Sequence, residues 1–316
     1  MKKYKNLIKV LIIGVLAISL IGCSGENSDV KNDKIHVMTT LFPQYDFTKE
    51  IVGDLADVSL LLPPGVEAHS YEPTPQDVVK IRKSDVFIYT SEYMEPWAIK
   101  MVEELGSEDL KVINLSENID YIEIDGMDDH DHDHGHEESK DPHTWLDPVY
   151  AQQMIKNITE GLVEVDSKNK DVYIKNSEAY IEKLQELHEG FVDVFKHSKT
   201  NKIIYGGHFA FGYFTDRYNL EHISPYIGFS PNAEPTPNRI VELINTLNEA
   251  DIKVIYYEEL VDPKVATVIS KETGAKMLLL HGAHNISKEE LENNITYLDI
   301  MYKNMEKLKE GLGYVK

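Results

Sequence analysis

Residues 167–198, SKNKDVYIKNSEAYIEKLQELHEGFVDVFKHS, hold no proline and a single glycine in 32 positions. Val172, Tyr173, Tyr180, Leu184, Leu187, Phe191 and Phe195 recur there at roughly helical spacing among many charges. The stretch reads as one amphipathic helix. At about 1.5 Å per residue it would run roughly 45 Å, a domain's width, so it joins what lies on either side. On both sides short apolar runs alternate with helical patterns. Strands are expected at 35–39, 57–62, 86–90 and 111–114 before the helix, and at 202–205, 253–257 and 276–280 after it. Helices are expected at 43–53, 75–84, 96–105, 148–165, 208–218, 237–250, 263–273 and 288–311. Such alternation argues for an α/β fold. The expectation is two lobes, 34–166 and 199–316, each with a mainly parallel sheet flanked by helices, joined by the rigid helix 167–198.

An internal echo supports two lobes. Glu72-Pro73-Thr74-Pro75 recurs as Glu234-Pro235-Thr236-Pro237. Each copy precedes a helical pattern, then an acid (Asp85, Asp251), then a strand. In both, Thr can cap the helix and the second Pro can take its first position, where a missing N–H costs nothing.

The N-terminus reads as an export signal. Residues 1–9 are basic and 10–22 are apolar and uncharged. That run is shorter than the roughly 20 residues a spanning helix needs and suits the apolar region of a signal peptide. Leu20-Ile21-Gly22-Cys23 resembles a bacterial lipobox, which implies cleavage before Cys23, lipid modification of its sulfur and a tether over 23–33. The membrane would then be met through that lipid alone. Removing the first 22 residues leaves 28 basic and 54 acidic residues, a net charge of −26. Such a surface repels phosphate backbones, so nucleic acid is not a partner. Cys23 is the single cysteine, which excludes an intramolecular disulfide and a thiolate zinc site.

The 13 histidines are the most informative residues. His130, His132, His134 and His136 lie in the Asp/His-rich run 128–139, which has nothing apolar to bury and reads as a disordered loop able to collect metal weakly. His36, His188, His197 and His222 are scattered. His69, His143, His208 and the pair His281/His284 sit differently, at or just after strand ends or just before a helix. That is where ligands bind in open α/β sheets. His69 and His143 precede the long helix, and His208 and the pair follow it. Four imidazoles converging between two lobes would make a tetrahedral nitrogen site that suits Zn²⁺.

PPGVEAHSYEPTP (63–75), DPHTWLDP (141–148) and GGHFAFGYF (206–214) resemble the zinc-binding lipoproteins of ABC importers, the ZnuA-like cluster A-I solute-binding proteins. The resemblance covers essentially the whole mature chain. It implies metal held in the interlobe cleft, no catalysis, a separate permease and ATPase as partners, and a position outside the bacterial cytoplasmic membrane. His69, His143 and His208 match ligand positions of the family. His284 aligns with a position commonly acidic there and is taken as the fourth ligand, with His281 as its rival. Glu67 or Glu259 could supply a carboxylate instead, or water could complete three histidines. Phe209 stands where many members carry Asp. Asp147 reads either as a partner fixing a histidine tautomer or as a helix N-cap.

An all-imidazole set favours zinc over Mn²⁺, which prefers oxygen ligands, although Cu²⁺ would bind still more tightly. Manganese binding in the same importer class is therefore the alternative. A secreted zinc hydrolase is a further reading, but the chain has no HExxH and would need an open coordination position. A surface adhesin is a third. The expected oligomeric state is a monomer.

Overall fold

The computed structural model describes residues 34–106, 109–123, 140–226 and 235–316. The signal, the tether and the 128–139 loop lie outside these.

The first half is built of β1 (His36–Thr39), α1 (Phe42–Val52), β2 (Asp57–Leu60), α2 (Pro75–Arg82), β3 (Val86–Tyr89), α3 (Pro96–Leu105) and β4 (Lys111–Asn114). Its sheet has the order β2-β1-β3-β4 and every pairing is parallel. All four residues of β3 are buried, as a central parallel strand covered on both faces requires. A turn of 3₁₀ helix (Thr144–Leu146) leads into α4 (Pro148–Val165), and α5 (Lys170–Lys196) follows. The second half carries β5 (Lys202–Ile204), α6 (Gly212–Arg217), β6 (Glu221–Ile223), α7 (Pro237–Glu249), β7 (Val254–Tyr257), α8 (Lys264–Thr273), β8 (Lys276–Leu279), α9 (Lys288–Glu292) and α10 (Tyr297–Gly311). Strand β5 pairs with β6, and β7 with β8, both in parallel. A parallel bridge from Tyr205 to Tyr256 connects the two pairs in the order β6-β5-β7-β8.

The two halves repeat one topology: second strand, first, third, fourth. The echoed Thr-Pro opens the same element in each, the helix that leads into the third strand. Thr74 accepts from the Asp77 N–H and Thr236 from the Arg239 N–H, with Pro75 and Pro237 as the first helical residues.

Helix α5 spans 27 residues, about 40 Å, slightly less than the expected 167–198 because residues 167–169 form a 3₁₀ turn. It buries Tyr173, Ser177, Tyr180, Leu184, Leu187, Phe191 and Val194. These alternate at steps of four and three and trace one stripe. Val172, counted with the apolar face from sequence, is exposed. The stripe belongs to an apolar core that runs continuously from Val37 and Phe47 in the first half to Tyr256 and Leu308 in the second. Leu184 is fully buried in it. Leu184→Ala is therefore expected to cost about 2–5 kcal/mol of stability, checked by urea unfolding.

Two expectations are corrected. The span 288–311 is two helices, because Asn294 takes a left-handed conformation and Thr296 starts a new helix with its own capping box to Asp299. The span 208–218 is helical only from Gly212, since residues 208–211 form the loop that carries His208. Strand β6 was not anticipated. Its Glu-His-Ile is too short and too polar to signal a strand.

Candidate metal centre

The parallel strands aim their C-terminal ends, and the loops that follow, at one place. His69 lies in the loop after β2, His143 in the segment between β4 and α4, His208 after β5 and His284 after β8. One potential ligand atom from each lies within 4.8 Å of all the others. Ring centroids are 4.8–5.8 Å apart for all six pairs. His143 Nε2 and His69 Nε2 are 3.2 Å apart. Four nitrogens set tetrahedrally around zinc at about 2.0–2.1 Å would be separated by roughly 3.3 Å, so this pair already has that spacing.

Carboxylates face the outer nitrogens of three rings. Asp141 Oδ1 accepts the His143 backbone N–H at 2.9 Å and lies 2.7 Å from His143 Nδ1. Glu259 Oε1 lies 3.1 Å from His284 Nδ1, while its Oε2 accepts the Gly282 N–H at 2.7 Å. Glu258 Oε2 is 3.6 Å from His208 Nδ1, and its Oε1 accepts the His208 backbone N–H at 3.1 Å. A carboxylate opposite Nδ1 favours the tautomer that carries its proton there and offers the Nε2 lone pair inward. His284 Nε2 is buried and has no hydrogen-bond partner among the described residues. A buried polar atom left in that state is costly, and a cation would satisfy it.

Burial favours the neutral form of two of the four rings. Burial, reinforced by the charges of His284 and His208, pushes the His69 imidazole down to about 2. Burial likewise holds His143 well below the usual histidine range, with its three imidazole neighbours adding to the effect. His284 goes the other way. Burial disfavours its charge, but the hydrogen bond and charge of Glu259, helped by Glu258 and Glu67, outweigh burial and raise it. Burial pushes Asp141 up to about 7. Burial also opposes the Glu259 charge, but His281 and His284 together hold that carboxyl below its ordinary range.

Aromatic and backbone contacts fix the loops. Trp145 packs edge-on against both His143 and His284 and donates its indole N–H to Gly282 O at 2.8 Å. Asn285 Nδ2 donates to Pro63 O and Val66 O, and the Gly65 N–H donates to Ile286 O. The loop carrying His284 is thus stitched to the loop carrying His69. A cavity of about 60 Å³ opens beside them, lined by residues that include Glu67, His69, His208, Glu258 and His284.

The remaining candidates fall outside the cluster. His281 accepts the Ala283 N–H on Nδ1 at 2.9 Å, and its Nε2 faces Glu290 at 3.7 Å. Glu67 accepts the backbone N–H groups of His69 and Ser70 and so holds the loop. Glu259 touches the His284 ring rather than joining the inward nitrogens. Asp147 does not touch a ring of the cluster. Its Oδ1 caps α4 by accepting the Val149 N–H, and its Oδ2 binds Arg217. The tautomer-fixing role suggested for Asp147 falls to Asp141 instead, since the 3₁₀ turn carries Asp147 to the start of α4. Phe209 stacks on His222 with centroids 3.9 Å apart. Cys23, His130, His132, His134 and His136 lie outside the described residues.

Gly212, the first residue of α6, passes close to Asp141. A Cβ there would lie 2.2 Å from Asp141 Oδ2. Gly212→Ala must displace that carboxylate. It is expected to weaken metal binding about tenfold without removing a ligand, as loss of such a supporting partner does, and a competition titration checks this.

Paired parallel α/β halves with four imidazoles gathered at their strand ends define a metal-binding receptor of the solute-binding type. Residues 37–311 match the family model for ZnuA, the zinc-uptake complex component A, periplasmic. The chain belongs to that family, a transport component and not an enzyme. It is similar to the high-affinity zinc uptake system protein ZnuA of Bacillus subtilis (strain 168), 40% identical over 316 residues and 98% of each chain. Among solved structures it resembles the Zn(II)-bound ZnuA-like domain of Streptococcus pneumoniae AdcA, 33% identical with a TM-score of 0.75, over 88% of this chain and 99% of that one. It also resembles the laminin-binding protein Lmb of Streptococcus agalactiae, described as bifunctional with adhesin and metal transporting activity. There the identity is 32% and the TM-score 0.77, over 88% of this chain and 99% of that one.

Proposed function

We propose that this chain captures Zn²⁺ with high affinity outside the cytoplasmic membrane and delivers it to an ABC permease, with His69, His143, His208 and His284 as the four ligands. The observation that carries the ligand set is the convergence of those four rings, three of them backed by carboxylates. Four neutral nitrogens suit zinc better than manganese. A complete protein ligand set leaves no open position for hydrolytic chemistry. The permease and its ATPase are separate chains, and the protein acts as a monomer held by lipid on Cys23. No helix among the described residues is long and apolar enough to cross a membrane. The His/Asp-rich loop 128–139 is an accessory collector of zinc for that site.

Zinc stoichiometry by competition titration tests this reading. Deleting residues 128–139 is expected to leave one tight site and to remove only weak binding. A deletion that abolishes tight binding would move the principal site into the loop.

A further inference from the structure

Among the described residues, six non-glycine residues have positive φ. Four are Asn118, Asn219, Asp251 and Asn294, types that tolerate the left-handed region. The other two are Leu260, at φ 59°, and Ala283, at φ 54°. Leu260 directly follows Glu259, and Ala283 directly precedes His284. Glu259 and His284 are the two ends of one hydrogen bond at the metal centre. Both backbone positions that their side chains disfavour therefore flank a single contact to a metal ligand. The same two turns are tied by the bond from Gly282 N–H to Glu259. Ala283 is fully buried, whereas Leu260 is 44% exposed and lines the cavity beside the histidines. Strained backbone of this kind persists only where its surroundings over-determine it, and it concentrates at ligand clamps and switches.

We propose that Leu260 and Ala283 are positioning residues for metal release. Their left-handed turns present Glu259 to His284 in the closed site. Displacing the exposed Leu260 turn lets both relax, so the His284 arm is the one that yields when zinc is handed over. This rests on the four-histidine reading above. Glycine adopts the left-handed region without penalty and asparagine at small cost. Substituting either residue for a strained one keeps the closed geometry and removes the drive to leave it.

The test is zinc dissociation from the full chain into excess chelator, followed by stopped flow, with affinity measured in parallel. Leu260→Gly, Ala283→Gly and Leu260→Asn are each expected to release zinc about fivefold or more slowly than the wild type, the factor that relief of one left-handed residue supplies. Leu260→Ala keeps the strained backbone while losing the exposed side chain, and is expected to stay within about twofold of wild type because alanine shares leucine's left-handed penalty. A purely structural role would raise the melting temperature and leave dissociation unchanged. Release at or above the wild-type rate in the glycine and asparagine variants overturns the proposal. A wild-type protein without one tight zinc site would overturn the four-histidine reading instead.

Discussion

His284→Ala is expected to weaken zinc binding by more than the roughly 10- to 100-fold that loss of a supporting partner costs, because it removes one of the four proposed ligands. His281→Ala, three residues earlier, should hold affinity within a few-fold. The two rings separate for a physical reason. His281 spends Nδ1 on the Ala283 N–H, and its other nitrogen faces Glu290. His284 spends Nδ1 on Glu259 and is one of the four clustered rings, which His281 is not, although Nε2 of either ring is buried without a hydrogen-bond partner among the described residues. Isothermal competition against a chelator of known affinity reads both variants. Equal effects from the two substitutions would mean that the loop, rather than the His284 ring, matters.

Saturating zinc is expected to stabilise the fold strongly. The proposed ligands come from both halves, His69 and His143 from the first and His208 and His284 from the second, so an ion held by them would link loops that unfolding must separate. Zinc at about a thousand times its dissociation constant adds roughly 4 kcal/mol, provided the unfolded chain does not bind it. At about 2–4 °C per kcal/mol for a chain of this order of size, the melting temperature should rise by roughly 8–16 °C. Differential scanning calorimetry with and without zinc checks the shift. In a His69→Ala/His143→Ala double variant the increment should nearly vanish. A shift that survives in this variant would locate the stabilising ion elsewhere.

Much of this architecture was legible in the chain. The repeated Glu-Pro-Thr-Pro marked the same helix in both halves because a Thr cap followed by Pro is a local signal that tertiary packing does not override. The long helix was legible because 27 residues without a proline at one apolar period allow little else. His69, His208 and His284 stood out by their place just after strands and His143 by its place before a helix, and the parallel topology brings all four together. The supporting carboxylates were harder to find. Asp141 lies two residues before His143 in Asp-Pro-His, and Glu258 follows β7 as the histidines follow their strands. Both signals were present, but in a chain with 54 acidic residues a single acid carries little weight. Asp147 lies four residues after His143, yet the intervening 3₁₀ turn sends it to cap α4 and bind Arg217. Whether His281 or His284 joins the cluster depends on the turn at Gly282-Ala283. A left-handed alanine cannot be read from composition or periodicity.

X-ray absorption at the zinc edge, on protein loaded with one equivalent and lacking residues 128–139, tests the central claim most directly. Four imidazole nitrogens at about 2.0–2.1 Å, with no oxygen in the first coordination sphere, are the expected result. Three nitrogens with a water or carboxylate oxygen would contradict it and reopen the manganese and hydrolase readings.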